Sequence, residues 1–201
     1  TRNNLGFFDL TPFVKFDLSG KYAHDQLQYL CANNVKNIEG RTTYTQMLNQ
    51  SGGIEADLTV SCLKKDYFRI ICPALARSHN KSHILKNLNK KVKFEDVTDK
   101  YSCLGLFGPN SRRFLTKLFG NYFSNEDFPF SRGKYINIFK SKLWFQRLSF
   151  VGELGWEIYM PIKKTNIVFK KIKKLGKKYN LTYAGMHALD ILRLEKKFLH
   201  W

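Results

Sequence analysis

Two carboxylates flank a glycine turn in the segment Ser149–Tyr159. The turn reads Gly-Glu-Leu-Gly, and Glu157 follows it in an alternating run that is typical of a β-strand. Glycine lets a backbone turn tightly or approach a ligand closely. A carboxylate anchored just past such a turn can accept two parallel N–H donors from a planar, guanidine-like edge. Spacing alone also fits an ordinary strand with an exposed glutamate, so both interpretations stay open at this point.

Asp57 is the second candidate for chemistry. Residues 44–60 read as a strand, a turn at Asn49–Gly53 and a second strand. Alternation places Asp57 with Glu55 and Thr59 on one face of the second strand, opposite the apolar face formed by Ile54, Ala56, Leu58 and Val60. Aspartate is depleted in strands. It is therefore either an acid at a solvent-facing edge or a carboxylate held rigidly and directed into a pocket.

A faint internal repeat predicts the elements that must position these residues. A strand, a glycine turn and a helix with leucines three apart recur around Gly20 and around Gly108. Apolar runs at Tyr67–Cys72 and Leu143–Phe150 predict further strands, and Asn121–Phe130 predicts a loop. Together they predict an α+β fold with antiparallel-rich sheets and packed helices.

Composition predicts a globular chain, because 43% of the 201 residues are hydrophobic. No run of about 18 apolar residues and no signal-peptide pattern occurs, so we expect no membrane span.

His79 and His83 stand four apart on a predicted helix, but their basic neighbours disfavour a metal, and no metal site is expected. We expect free, buried thiols in a reducing compartment at Cys31, Cys62, Cys72 and Cys103.

The net charge of +18 invites a nucleic-acid interpretation. The densest basic run, Lys163–Lys178, has apolar residues interleaved at helical spacing, which predicts an amphipathic helix with a solvated basic face. No arginine-rich, glycine-rich or aromatic-platform motif accompanies it. Compositional drift is therefore the favoured explanation, and nucleic-acid binding is the less favoured one.

Several motifs, in order along nearly the whole chain, resemble the folate-binding aminomethyltransferase family. This family includes the T-protein of the glycine cleavage system and the C-terminal halves of dimethylglycine and sarcosine dehydrogenases and oxidases. The motif Gly-Glu-Leu-Gly-Trp-Glu and the chain's ending in Leu-Arg-Leu-Glu-Lys and His200-Trp201 look closest to the dehydrogenase branch. The matching segments are an opening strand and glycine turn (Phe8–Gly20), a hairpin (Tyr44–Val60), a Leu-x-Gly-Pro turn (Leu104–Pro109), a Gly-Glu-x-Gly-x-Glu motif (Val151–Glu157) and a Leu-Arg-Leu-Glu helix (Leu189–Lys196).

The resemblance implies a folate-binding aminomethyltransferase-like fold with interleaved lobes and one folate-binding domain over residues 1–201. It also implies a fragment that lacks an upstream flavin domain, which would hold FAD, and a C-terminal β-barrel domain. The implied function is to capture a one-carbon unit from an N-methyl amine, as iminium or formaldehyde, on tetrahydrofolate to give 5,10-methylenetetrahydrofolate. The alternatives are a glycine cleavage aminomethyltransferase and a non-catalytic regulatory or RNA-associated relative. The implied location is cytoplasmic, or the mitochondrial matrix in a eukaryote.

The resemblance also implies site residues. Asp57 matches the family's catalytic carboxylate near N10 of the folate, and Glu157 matches the carboxylate that binds the pterin edge. Phe150 stands where many members have tyrosine, and Leu189 stands where T-proteins have arginine. Arg193 and Glu195 look like a structural ion pair on the last helix. The full predicted cofactor-binding set is Tyr44, Asp57, Leu58, Thr59, Phe150, Glu157, Ile158 and Tyr159.

Overall fold

The computed structural model describes residues 1–200, which form two compact units. The six-stranded unit comprises Thr1–Thr11 and Lys100–Leu199, and the five-stranded unit comprises Pro12–Asp99 with His200. The elements of the described chain are, in order, β1 (Gly6–Asp9), β2 (Val14–Ser19), α1 (Ala23–Leu30), β3 (Thr42–Leu48), β4 (Ile54–Lys64), β5 (Tyr67–Cys72), α2 (Arg77–Asn87), β6 (Lys93–Asp96), β7 (Tyr101–Phe107), α3 (Ser111–Phe119), β8 (Gly133–Ile138), β9 (Ser141–Gln146), β10 (Gly155–Pro161), α4 (Thr165–Gly176), β11 (Thr182–Ala184) and α5 (Met186–Glu195).

The five-stranded unit is an antiparallel sheet in the order β3-β4-β5-β2-β6. The β3–β4 hairpin, at one edge of the sheet, turns at the predicted Asn49–Gly53 segment, where Asn49 Oδ1 accepts bonds from the amides of Ser51 and Gly53. Ala56, Leu58 and Val60 pack into a core with α1 and α2, as their alternation predicts. Ile54, which begins the same strand, is exposed instead.

The six-stranded unit has the sheet order β11-β1-β7-β10-β9-β8. Its neighbouring strands run antiparallel except β1 and β11, which are parallel. Strand β1 lies between β7 and β11 although the chain passes through the five-stranded unit after β1. The predicted antiparallel-rich α+β fold with interleaved lobes is therefore confirmed.

Both strand–turn–helix repeats are present, since β2 leads through Gly20 to α1 and β7 leads through Gly108 to α3. The predicted basic helix is α4, whose Val168 and Ile172 are buried. Residues 120–130 form the predicted loop. All four cysteines are free and buried, as predicted. Within residues 1–200, no helix is both long and apolar enough to cross a membrane.

The predicted strand Leu143–Phe150 is wrong in its second half, because β9 ends at Gln146. Arg147 still exchanges backbone bonds with the chain near Arg132, at 2.7 Å and 3.1 Å. The amide of Leu148 then bonds back to the carbonyl of Gln146, so the backbone turns out of the sheet. The apolar run after Gln146 therefore belongs to the turn that leads into β10.

The predicted ion pair between Arg193 and Glu195 is also wrong. Residues two apart on a helix lie on different faces. Arg193 Nε instead contacts Asp190 Oδ1 at 3.2 Å, and Glu195 Oε2 accepts from Arg2 Nε at 2.9 Å. The last helix matches the predicted Leu-Arg-Leu-Glu segment, whereas Trp201, at the end of that motif, lies outside the described residues.

Candidate functional site

Asp57 lies in the middle of β4, on the face of the sheet opposite the core, and is only 9% exposed. Its cross-strand neighbour is Gln46, whose Nε2 donates to Asp57 Oδ1 at 3.2 Å. The hydroxyl of Tyr44 is also hydrogen-bonded to Asp57. Burial first, and then Asp57, raise the pKa of Tyr44 to about 12, so this phenol stays protonated and donates to the carboxylate.

The same face carries a row of paired polar side chains that fixes the sheet around Asp57. Arg69 and Asp17 face each other across β5 and β2 and form a buried two-point ion pair of 2.7 Å and 2.8 Å. Ser61, beside Arg69 in register, shares a hydrogen bond of 3.2 Å with Thr42. Bidentate guanidinium–carboxylate pairs hold a fixed geometry. Asp57 therefore sits on a rigid strand, as its position in the sequence predicts.

Leu58 and Thr59 flank Asp57 but differ in what they can contact. The side chain of Leu58 is 3% exposed and belongs to the hydrophobic core, so it offers a ligand only its backbone. Thr59 is half-buried and pairs in register with Tyr44. Of these two predicted residues, Thr59 is the one whose side chain shares the face of Asp57.

Glu157 lies on β10 and is the centre of a hydrogen-bond network. Its Oε2 accepts from the hydroxyl of Tyr159 at 2.6 Å and from Nε2 of Gln146 at 2.9 Å. Gln146 is its cross-strand neighbour on β9 and is itself oriented by Trp144, whose Nε1 donates to Gln146 Oε1 at 3.2 Å. This fixes which end of the Gln146 amide faces the carboxylate.

Both of these donors bind the same oxygen of Glu157. Within residues 1–200 the structure gives Oε1 no hydrogen-bond donor, so this oxygen keeps its acceptor capacity for a ligand. A ligand that engaged both oxygens in parallel would share Oε2 with Tyr159 and Gln146. Burial raises the pKa of Glu157 above its ordinary value of 4.5, while the bonds from Tyr159 and Gln146 counteract that rise.

The two carboxylates of this glycine motif, Glu153 and Glu157, have different partners. Gly152 has φ +68°, in the left-handed region that favours glycine. Glu153 Oε1 is held by Arg2 Nη1 at 3.0 Å, and Lys196 Nζ lies 3.8 Å away. Glu153 is thus committed to ion pairs, and Glu157 is the carboxylate of this motif that keeps an oxygen for a ligand.

The remaining predicted residues occupy different settings in the six-stranded unit. Ile158 is fully buried in the core, so its side chain supports β10 from behind. Tyr159 is 2% exposed, and burial raises its pKa well above the ordinary value, which keeps its hydroxyl a donor. Phe150 is half-buried in the turn, with the Arg193 guanidinium 5.8 Å from its ring centre. Leu189 is 2% exposed.

Two glutamines beside the candidate carboxylates were not predicted from the sequence. Each candidate carboxylate has a glutamine directly across the strand pair, Gln46 for Asp57 and Gln146 for Glu157. Counting back from the Asn49–Gly53 turn places Thr45 rather than Gln46 opposite Asp57, because a register shift between Met47 and Leu48 moves the pairing by one residue. The sequence does not indicate Gln146 as the cross-strand neighbour of Glu157 either, because residues 147–154 between β9 and β10 follow no two- to five-residue hairpin pattern.

His79 lies on α2 as predicted, with Nε2 3.0 Å from Glu55 Oε2 on β4. In the part of the chain that the structure describes, no cluster of three or more His, Cys, Asp or Glu side chains could hold a metal ion. The donors and acceptors described above suit a ligand with N–H groups rather than a metal ion.

Comparison with known proteins gives a consistent result. The family model described as the GCVT N-terminal domain matches residues 1–201. Mitochondrial sarcosine dehydrogenase of Homo sapiens is 34% identical over 216 residues, covering 100% of this chain and 24% of the relative. Mitochondrial dimethylglycine dehydrogenase of Rattus norvegicus is 32% identical over 200 residues, covering 98% and 23%. The chain thus spans about a quarter of the length of these relatives.

The fold also matches a solved structure. Glycine cleavage system aminomethyltransferase T from Bartonella henselae superposes with a TM-score of 0.86 at 22% identity, covering 100% of this chain and 53% of that one. At this identity the likeness establishes the fold alone.

Proposed function

Because the chain belongs to the GCVT N-terminal domain family and is related to sarcosine and dimethylglycine dehydrogenases, we propose that it binds tetrahydrofolate and loads a one-carbon unit onto it. The unit comes from an N-methyl amine, as an iminium or formaldehyde, and the product is 5,10-methylenetetrahydrofolate. The observation that carries the proposal is Glu157, a half-buried carboxylate with one oxygen fixed by two donors and the other available.

Glu157 is proposed to recognise the pterin. The edge of a pterin presents N–H donors, and a carboxylate accepts such donors with charge-assisted strength. Gln146 and Tyr159 hold Oε2 and thereby fix the direction in which Oε1 points. Burial strengthens the electrostatic part of the contact because the local dielectric is low. Ile158, packed in the core, keeps the strand itself from shifting.

Asp57 is proposed to act on the one-carbon unit. Tetrahydrofolate supplies the two nitrogens that accept the carbon. An aspartate held near those nitrogens stabilises positive charge and can take or return a proton. Gln46 and Tyr44 donate to this carboxylate and hold it in place, so little reorganisation is needed during the reaction. Thr59 and Phe150 are proposed to contact the folate, and Leu58 to do so through its backbone.

The amine oxidation that supplies the carbon requires chemistry that this chain's own residues do not provide. We propose that FAD, bound by another part of the full-length protein, performs it, as the length of the dehydrogenase relatives allows. The proposed location is the mitochondrial matrix, in keeping with the mitochondrial names of both relatives.

The test of this function is single-turnover product analysis of the full-length protein, in which the proposed FAD is the oxidant, with an N-methyl amine and with or without tetrahydrofolate. Asp57→Ala should slow formation of methylenetetrahydrofolate at least ~10²-fold, the usual scale for an acid–base or charge-stabilising group. Binding of tetrahydrofolate should change only modestly, because Asp57 acts mainly in the transition state. Formaldehyde should then be released instead.

The matched control is Glu55→Gln, which changes a carboxylate on the same strand and the same face, two residues away. It should leave the transfer rate near that of the unmodified protein. Equal transfer rates in Asp57→Ala and the unmodified protein would leave Asp57 as an ordinary strand acid.

A further inference from the structure

Two arginines lie against one buried tryptophan in the six-stranded unit. The guanidinium carbon of Arg112, on α3, is 5.8 Å from the ring centre of Trp156, and that of Arg147, just after β9, is 5.6 Å away. Trp156 is fully buried and packs edge-on against Phe123 and Phe128, with ring centres 5.5 Å and 6.0 Å apart. We call these three residues, Arg112, Arg147 and Trp156, the Arg-Trp cluster.

Each member of the Arg-Trp cluster has a buried N–H group without a hydrogen-bond partner among residues 1–200. The three atoms are Arg112 Nε, Arg147 Nε and Trp156 Nε1. All three can only donate, because neither a guanidinium nor an indole nitrogen accepts. Leaving a buried donor unpaired costs about 1–3 kcal/mol, and more for a charged group. Three such donors close to one ring form a candidate site for an acceptor group, whether water or a ligand.

The positive charge of the Arg-Trp cluster also favours a partner with acceptor atoms. Within the described chain, neither Arg112 nor Arg147 forms an ion pair within 4 Å, whereas Arg2, Arg77 and Arg193 do, and the exposed carboxylate of Glu126 lies near Arg112 without pairing with it. Burial, together with the like charge of Arg112, lowers the pKa of Arg147 below its ordinary value. Two desolvated positive groups beside each other are unfavourable unless a negative group accompanies them.

The cluster is separate from the candidate folate residues of β10. Neighbouring side chains of a strand point to opposite faces, so Trp156 projects into the core whereas Glu157 does not. The cluster borders the Asn121–Phe130 loop instead. Arg112 Nη2 donates to Asn125 Oδ1, and Arg147 Nη1 donates to the carbonyl of Phe128 at 2.8 Å. Both arginines are half-buried as whole side chains, whereas their unpaired Nε–H groups are buried.

We propose that the Arg-Trp cluster is a second binding site, which takes a small oxyanion of the carboxylate or phosphate class at the edge of the Asn121–Phe130 loop. Guanidinium groups match the planar, multi-oxygen geometry of both anions. The apolar wall of Phe123 and Phe128 lowers the local dielectric, which strengthens the pairing. The site thus binds an anion that the proposed folate chemistry does not use.

The experiment measures binding of inorganic phosphate, and separately of acetate, by calorimetry and by the shift in Tm at constant ionic strength. Arg112→Met and Arg147→Met each remove a guanidinium while keeping an unbranched side chain. Each should weaken binding of the preferred anion roughly tenfold or more, because charge-assisted bonds contribute about 1.5–3 kcal/mol. Comparison of phosphate with acetate identifies the source of the oxyanion.

The matched control is Arg113→Met. Arg113 is adjacent on α3, is exposed and also lies over an aromatic ring, with its guanidinium carbon 5.8 Å from the ring centre of Tyr179. It should bind the anion as the unmodified protein does. Equal weakening in all three variants would assign the binding to the general charge of +18 and overturn the proposal.

Two further outcomes are decisive. Failure of the unmodified protein to bind either anion at millimolar concentration would mean that the donors are satisfied without a ligand, which also overturns the proposal. If Arg147→Met does not fold, Arg112→Lys provides the test, since it keeps the charge, removes the Nε donor and should still weaken binding. Tetrahydrofolate affinity should be unchanged in every variant, so this proposal and the proposed folate function fail independently.

Discussion

At the scale of single residues, the two candidate carboxylates have the same kinds of hydrogen-bond partner. Each lies on a strand and receives a hydrogen bond from a glutamine directly across the sheet and from a tyrosine of the same unit. The glutamine and tyrosine fix each carboxylate in one orientation, and at Glu157 their bonds also counteract the rise in pKa that burial causes. Asp57 and Glu157 are therefore preorganised before any ligand arrives, which is what a binding or catalytic acid requires.

Substitution of Gln146 tests what its hydrogen bond does to Glu157. Its hydrogen bond lowers the pKa of Glu157, so Gln146→Met should raise that pKa further. Pterin binding needs the ionised carboxylate, and binding is lost as pH falls through the pKa of Glu157. The pH at which tetrahydrofolate affinity is half-lost should therefore move upward, with roughly tenfold weaker binding at neutral pH from the lost bond.

Calorimetry across a pH series measures both effects. Gln46→Met removes the corresponding hydrogen bond to Asp57. It should slow one-carbon transfer without moving the pH midpoint of folate binding. A Gln146→Met protein with an unchanged pH midpoint would show that Gln146 only fills space.

The strand positions of Asp57 and Glu157 follow from the sequence, whereas the side chains around them do not. Asp57 and Glu157 are unusual residue types in alternating strands, and this signal is local. The assignment of Gln146 and Trp144 to Glu157 depends on how β9 pairs with β10, which the sequence does not reveal. The predicted partner of Arg193 was wrong for a similar reason, since helix geometry and a distant Arg2 decide the ion pairs.

At the scale of elements, a glycine turn follows β7, the strand that pairs with the Glu157 strand β10. Gly108, between β7 and α3, has φ +128°, and a Cβ there would lie 2.3 Å from the carbonyl oxygen of Asn4. That neighbour is backbone and cannot move aside easily. The turn therefore requires glycine on both conformational and steric grounds.

Gly108→Ala should lower the free energy of unfolding by at least about 3 kcal/mol, the sum of backbone strain and a steric clash. Gly52→Ala is the control, because Gly52 also has a positive φ of +79° but nothing lies within 4 Å of its Cβ position. It should cost about 1–2 kcal/mol from strain alone. Chemical denaturation measures both, and equal losses would contradict the close approach at Gly108.

Most strands and helices followed from local pattern, including the β3–β4 hairpin, β5 and the basic helix α4. The prediction that failed, a strand reaching Phe150, did so because an apolar run does not reveal where its partner strand ends. The backbone bond from the amide of Leu148 to the carbonyl of Gln146 turns the chain out of the sheet just after β9. Tertiary pairing overrides β-propensity at such a point.

At the scale of the whole molecule, the two units exchange segments, since β1 completes a sheet whose other strands lie about a hundred residues later. Hydrophobic periodicity cannot show that exchange, and only the resemblance to a known family predicted it. The charge of +18 is likewise a property of the whole chain, and most of it comes from lysines on solvated faces such as that of α4.

If the charge is compositional drift, duplex DNA and RNA should bind weakly and without sequence preference. The affinity should fall steeply and linearly on a log–log plot against salt, as counterion release requires. Fluorescence anisotropy over a salt series measures this. Sub-micromolar, sequence-specific binding at physiological salt would instead support the nucleic-acid interpretation.

The most direct test of the central claim is the affinity of the protein for tetrahydrofolate, measured by calorimetry for Glu157→Gln and Glu153→Gln. Both variants change one carboxylate of the same motif, but Glu153 is held by Arg2 whereas Glu157 keeps Oε1 for a ligand. Glu157→Gln should lose on the order of 2–3 kcal/mol of binding free energy, because a donor then faces a donor, while Glu153→Gln should bind nearly normally. Equal affinity in Glu157→Gln and the unmodified protein would remove Glu157 from the folate site and contradict the proposed function.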